Sequence, residues 1–528
     1  MKPSDALVHK IALWAMVTLL LFGLGSCCPE DPYKNYLKMV ILTEPKSMDP
    51  TMANDITTGV ISGLMYDNLV QFGIGNDLQP GLAQSWEISS DGRVYTFNLR
   101  DDVYFWDGKQ LTARDVVYSF HRTLNPETRS SMTWLLDPIL GASEFMQGKA
   151  DSISGIRMIN PSKIELILSK PFAPFIGFLA VPPTAIVPYK EGDPVQPELK
   201  TTPMGTGAWI FAEWQSDRKL SFKKNPNYFN GPAKLDGILL NNMPETLTQA
   251  VEFEAGNLDI MVVPNSEFKY WTRSTAWQPY IQKMDELGIY YLAMNVERTP
   301  FTDKRVRQAV TYAIDREKII HRILHNSATL AHGPIPPGLA GYDSTRVPLP
   351  YDPEKAKQMM VEAGYPEQCE FDLWVDPGAA ISQTIEAIQH YLNEAGFKVN
   401  IVRNDWNMMR DAMRKGGTDA YWGNWWADYA DAENFLAPLF HSKNSARRNR
   451  YNNSTVDENI ESLQQSLDPE ERKLLAMNID STLIEEAPYA FFWYPTSYTV
   501  FQPNLKNFIV HQMYFANKYT EVYFEEQG

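Results

Sequence analysis

At 528 residues the chain is too long for one hydrophobic core, so two or three domains are expected. A net charge of −16 makes nucleic acid a poor partner, because that binding depends on Lys and Arg clusters that release counterions. Fourteen Trp and 26 Tyr supply large, stiff contact area suited to a site that accepts varied ligands. Of three cysteines, Cys27 and Cys28 are adjacent and Cys369 stands alone, which leaves no disulfide framework for the folded body. Cys369 reads as a buried small apolar residue. The basic run Arg447-Arg448-Asn449-Arg450 reads as a solvated loop.

Lys2 and Lys10 precede an apolar run from Ile11 to Leu24, the pattern of an export signal too short to span a membrane in the ordinary way. The run ends Leu24-Gly25-Ser26-Cys27, which resembles a bacterial lipobox and implies a leader at 1–27 with lipidation at Cys27. A plain signal peptide or an uncleaved anchor is the alternative, and each exports the body. Pro29 to Lys38 reads as a tether, and Met39 to Leu42 as a buried strand before Glu44 and the segment Ser47-Met48-Asp49-Pro50.

The stretch Ala83 to Phe120 is the centre around which the chain is organised. Asp91-Gly92 between apolar runs signals a hairpin. Tyr95, Phe97 and Leu99 alternate with polar residues and share one strand face. Asp107-Gly108 gives a second turn, and Thr112 caps a helix whose buried side carries Val116, Val117 and Phe120. Prolines around Val181-Pro182-Pro183 and Val187-Pro188 close this region. Pro203-Met204-Gly205-Thr206-Gly207 is a glycine turn without phosphate-loop spacing. Glu245–Glu254 reads as a helix. A further region starts near Ile289, with a helix carrying Val306, Ala309, Val310, Ala313 and Ile314 on one stripe. Asp352-Pro353 opens another helix, which Gly364 ends. Glu370–Val375, Ile381–Ala395 and Phe397–Val402 read as strand, helix and strand, a βαβ unit with a parallel pair. Helices are expected at 407–415 and 468–486, and two strands near Phe491–Tyr494 and Tyr498–Phe501.

The order of residue types from Ala83 to Phe120 resembles the signature of bacterial extracytoplasmic solute-binding proteins of family 5, the peptide, dipeptide and nickel class of ABC transporters. Ser47-Met48-Asp49-Pro50, the glycine turn at 203–209, Asn225-Pro226-Asn227-Tyr228-Phe229 and Ala255-Gly256-Asn257-Leu258-Asp259 also match family segments. The resemblance implies an α/β, type II periplasmic-binding-protein-like fold, with two lobes around a cleft and an extra inserted domain. It implies lobe I from 28–56, 188–285 and 495–528, an inserted domain at 57–187 and lobe III at 286–494. The implied role is non-enzymatic capture of short peptides by a monomer, which delivers them to an inner-membrane ABC permease and its ATPase subunits. The implied location is the periplasm or cell envelope.

Asn424-Trp425-Trp426-Ala427-Asp428-Tyr429 resembles the family segment whose aspartate pairs with the peptide α-ammonium, and Asp428 takes over that role. A helix cap or a surface acid is the bland alternative. Asn424, Trp425 and Trp426 accompany Asp428, while Glu44, Trp406 and Trp134 match pocket positions for which surface exposure or core packing are competing readings. Ala380 and Trp422 stand where relatives place carboxylate-clamping cations, so both expected clamps look absent, with Arg403 or Arg410 as substitutes. A hydrolase lacks support, with no H-E-x-x-H or G-x-S-x-G. A nickel-type chelate binder lacks a ligand cluster, and no metal or cofactor is expected. A non-standard peptide, such as a cell-wall peptide or glutathione, and a purely structural adhesin complete the alternatives.

Overall fold

The computed structural model describes residues 31–376 and 382–525, with side chains described from 383 in the second segment. Cys27, Ala380 and Ile381 lie outside them. Three larger sheets organise the described residues. In the first, Tyr36–Ile41 runs parallel to Gly237–Asn242, which continues antiparallel to Lys219–Lys224 and Trp209–Gln215. The second is antiparallel, in the order Ala83–Ile88, Val94–Leu99, Lys163–Ile167 and Ile156–Asn160. The third runs Ile260–Val262, Tyr489–Phe501, Gly288–Met294, Ala420–Trp426, Cys369–Val375 and Phe397–Arg403.

The second sheet follows from its alternation. Tyr95 and Phe97 are fully buried and Leu99 nearly so, and Gly92 at φ 68° turns the hairpin between the first two strands. The helix Ala113–Leu124 starts with a capping box. The Asp115 carboxylate accepts from the Thr112 backbone N–H at 2.8 Å. It also accepts from Lys109 Nζ at 2.7 Å and the Tyr189 N–H at 2.8 Å. Val116 and Phe120 are buried, while Val117 is half-buried at the edge of the stripe.

Two family segments meet on this helix. Arg122 and Asp49 are both about 1% exposed and form a bidentate pair, with Arg122 Nη1 donating to Asp49 Oδ1 at 2.9 Å. Arg122 Nε donates to the Val195 carbonyl at 2.7 Å. The Ser-Met-Asp-Pro segment is thereby locked to the helix by charge-assisted bonds. The glycine turn has a steric reason. A Cβ on Gly205 would lie 2.0 Å from the Met65 carbonyl oxygen, and one on Gly207 2.4 Å from the Met65 carbonyl carbon.

The βαβ unit is present as expected. Cys369–Val375 pairs in parallel with Phe397–Arg403 across the helix Ser382–Glu394. Cys369 is buried, and desolvation pushes its thiol up to about 12. Three expectations change. The segment 29–38, read as a tether, is already strand from Tyr36, where Leu37 is buried and pairs with Ile238. Tyr489–Phe501 is one 13-residue strand, because Pro495 lies opposite Ala328 without breaking the ladder. It runs through the 494/495 boundary, pairing Gly288–Met294 on one side of it and Ile281–Asp285 on the other. The first strand is an edge strand, so only Leu37 and Ile41 are buried and Leu42 is 57% exposed.

Candidate functional site

A cavity of about 760 Å³ opens where the segments 53–54, 132–138, 172–183, 406–448 and 514–515 converge. That volume is in the range of small-ligand pockets, roughly 300–1,000 Å³. Trp134, Trp406, Trp425 and Asp428 all line it.

The strand Ala420–Trp426 delivers Asp428. It pairs antiparallel with Gly288–Met294, with Trp425 opposite Ile289. The chain then turns, with the Ala427 N–H donating to the Leu287 carbonyl at 2.9 Å. The Asp428 N–H donates to Asn434 Oδ1 at 2.9 Å, and Trp425 Nε1 reaches the same oxygen at 3.4 Å. Asn434 is buried in the helix Glu433–Phe440, so this one side chain fixes the turn that carries Asp428. The carboxylate reaches water through the cleft, yet the surrounding protein desolvates it and raises its pKa, with a hydrogen bond to the Asn434 side chain pulling the other way. Among the described residues it has no cationic partner.

Tyr429 is buried against Phe178 at 4.6 Å between centroids and Trp134 at 6.3 Å, joining this segment to the aromatic wall opposite. Its hydroxyl donates to Glu433, which also accepts from Gln464 Nε2 at 2.6 Å. Burial pushes Glu433 up to about 7.

Strand alternation separates the neighbouring residues. Trp425 faces the cavity, whereas Asn424 and Trp426 are not among its lining residues. Trp426 packs edge-on against Tyr290 at 5.3 Å, and its Nε1 donates to Glu286 at 3.0 Å. The Asn424 carbonyl accepts from the Tyr291 hydroxyl at 3.3 Å. Glu44 is also outside the lining. It accepts from Trp214 Nε1 and Ser216 Oγ, both at 3.1 Å, bracing the turn between Trp209–Gln215 and Lys219–Lys224. The Trp214 bond leads the causes that lower its pKa.

The basic run is not simply a solvated loop. Arg447 and Arg448 line the cavity beside Arg410 and Arg414, and Arg403 does not. Arg448 lies 5.0 Å from the Trp425 ring centroid, a cation–π distance. Burial works against its charge, but the neighbouring phenols of Tyr291, Tyr421 and Tyr489 outweigh it, and its pKa is raised. The only sequence signal for these residues was the run of basic side chains itself. Trp422 is 4% exposed and packs on Phe492 and Trp493, away from the cavity.

A sequence profile of bacterial extracellular solute-binding proteins, family 5 (middle region), matches residues 77–447. The chain belongs to that family. It is 31% identical over 474 residues to heme-binding protein A of Haemophilus influenzae, covering 84% of each chain. It is 27% identical over 491 residues to the dipeptide-binding protein of Escherichia coli, covering 88% of this chain and 90% of the relative. Among solved structures, HbpA2 from Haemophilus parasuis superposes with a TM-score of 0.81 at 26% identity, covering 93% of this chain and all of that one. The family 5 chain therefore has the type II, two-lobed binding-protein fold and is a substrate-binding protein. Among its described residues no helix is long and apolar enough to cross a membrane.

Proposed function

We propose that the chain is the capture component of a peptide ABC importer, holding short peptides in the cleft by their α-ammonium group at Asp428. The observation that carries this reading is a desolvated carboxylate on the cavity wall with no cationic partner among the described residues, held by a fixed turn between Trp425 and Tyr429. A peptide ammonium completes the pair, worth roughly 4 kcal/mol at 4 Å and an effective dielectric of 20. A backbone edge supports the same reading. Cys369–Val375 pairs with Ala420 and Tyr421, and among the described residues that ladder stops there. The side of the strand beyond Tyr421 is suited to take an extended peptide as an added strand.

The first sheet lies within lobe I (28–56, 188–285, 495–528) and the second within the inserted domain (57–187), which supports that division. The third joins lobe I to lobe III (286–494) through Tyr489–Phe501, where a hinge for closure on ligand would sit. Leu24-Gly25-Ser26-Cys27 supports lipid anchoring at Cys27 on the cell envelope, from which the protein serves its permease.

A second reading is a flat porphyrin dicarboxylate, favoured by the relative named heme-binding protein A and by the aromatic and arginine side chains of the wall. No His or Cys lines this cavity among the described residues.

Calorimetry on one short peptide with free and N-acetylated amino termini tests the peptide reading. Stranding a buried charge costs about 2–5 kcal/mol, so acetylation is expected to weaken binding roughly thirtyfold or more. Equal affinity for the two forms overturns the assignment.

A further inference from the structure

The charges on the cleft wall carry one step further, resting on the cleft as the ligand site. Arg410 and Arg414 are one turn apart on the helix Trp406–Arg414 and share a face. Arg447 and Arg448 follow the short helix Ser442–Ser445. All four line the cavity, and none forms an ion pair among the described residues. This occurs in a chain with 64 acidic and 48 basic residues, where a counter-ion is easily supplied. The cavity's own acids do not supply it. Glu433 is taken up by Tyr429 and Gln464, and neither Asp428 nor Asp137 pairs with an arginine among the described residues. Four like charges around one space repel one another, and a bound anion relieves that repulsion more fully than water and salt do.

We propose that the cleft selects ligands bearing two or more carboxylates, received by the wall of Arg410, Arg414, Arg447 and Arg448. Guanidinium groups suit this task, because each can grip a carboxylate with two parallel hydrogen bonds. Two ligand sources share the chemistry: a short peptide with an acidic side chain and a porphyrin dicarboxylate.

The test measures binding of four probes to the purified protein and to the triple variant Arg410→Gln/Arg414→Gln/Arg447→Gln. Those three side chains are exposed and form no ion pair among the described residues, so the fold is expected to survive, which an unchanged thermal midpoint verifies. Arg448 is left in place because it packs on Trp425. The probes are Ala-Ala-Glu against Ala-Ala-Gln, and haemin against its dimethyl ester. The expected result is a preference of about tenfold or more for the dicarboxylate of at least one pair, falling below about threefold in the variant. A smaller preference in both pairs, or one that survives the variant, overturns the proposal. A preference confined to the porphyrin pair and lost in the variant upholds the arginine wall, and it overturns the peptide reading when neither tripeptide binds. Failure of all four probes to bind the parent protein overturns both.

Discussion

The helix Ala113–Leu124 and the cleft wall treat charge in opposite ways. On the helix, Arg122 and Asp115 are buried, and each is surrounded by partners: Asp49 for the first, Lys109 and the backbone of Thr112 and Tyr189 for the second. In the cleft, Asp428 and four arginines stand without an ion pair among the described residues. A buried charge needs a partner built into the fold, whereas charges that face an open cleft stay hydrated until a ligand displaces the water. The first arrangement is structural, and the second is the one we propose a ligand completes. Sequence motifs alone do not tell the two apart, since Asp49 and Asp428 both sit in segments that match the family.

That contrast can be broken from its structural side. Asp49→Ala strands Arg122, and removing one partner of a buried pair typically costs about 3–5 kcal/mol. Chemical denaturation is expected to show a loss of that size, with ligand affinity of the folded protein unchanged. A variant of parental stability contradicts the structural role of the pair.

Glu433 sharpens the comparison, because it is buried like Asp49 but has only neutral partners. Desolvation raises its pKa in the folded state to about 7, above the unfolded value of about 4.3. The folded state therefore binds the extra proton between those values, and this residue's contribution to stability falls as pH rises from about 4 to about 7. Glu433→Gln is expected to match the parent near pH 4 and exceed it at pH 8, by on the order of 1–3 kcal/mol. A parent-minus-variant difference that stays flat with pH contradicts this assignment.

The Val94–Leu99 strand, the cap at Thr112 and the βαβ unit were legible because they follow from local patterns: two-residue alternation, a capping residue before an apolar stripe, and helix signals between two apolar strands. The cavity positions of Asp428, Trp425, Trp406 and Trp134 were reachable through matches to family segments. Other features depend on which way the folded chain faces. Glu44 precedes a matched segment, but the turn near Trp214, 170 residues later, captures its carboxylate. Asn424 and Trp426 flank Trp425, and strand alternation turns them from the cavity. Arg447 and Arg448 look like any exposed basic run until helices Glu433–Phe440 and Ser442–Ser445 fold back and bring them beside Trp425. Pro495 reads as a break, and only its place opposite Ala328 lets the strand continue.

The most direct measurement takes one variant, Asp428→Asn, and records both its unfolding free energy and its affinity for a free-amine peptide. A carboxylate kept for a ligand does little for the empty fold, and removing its desolvated charge relieves a cost. Stability is therefore expected to stay at or slightly above that of the parent, while affinity falls by roughly thirtyfold or more. A variant that loses stability and keeps its affinity would place Asp428 with Asp49, among the charges that hold the fold together.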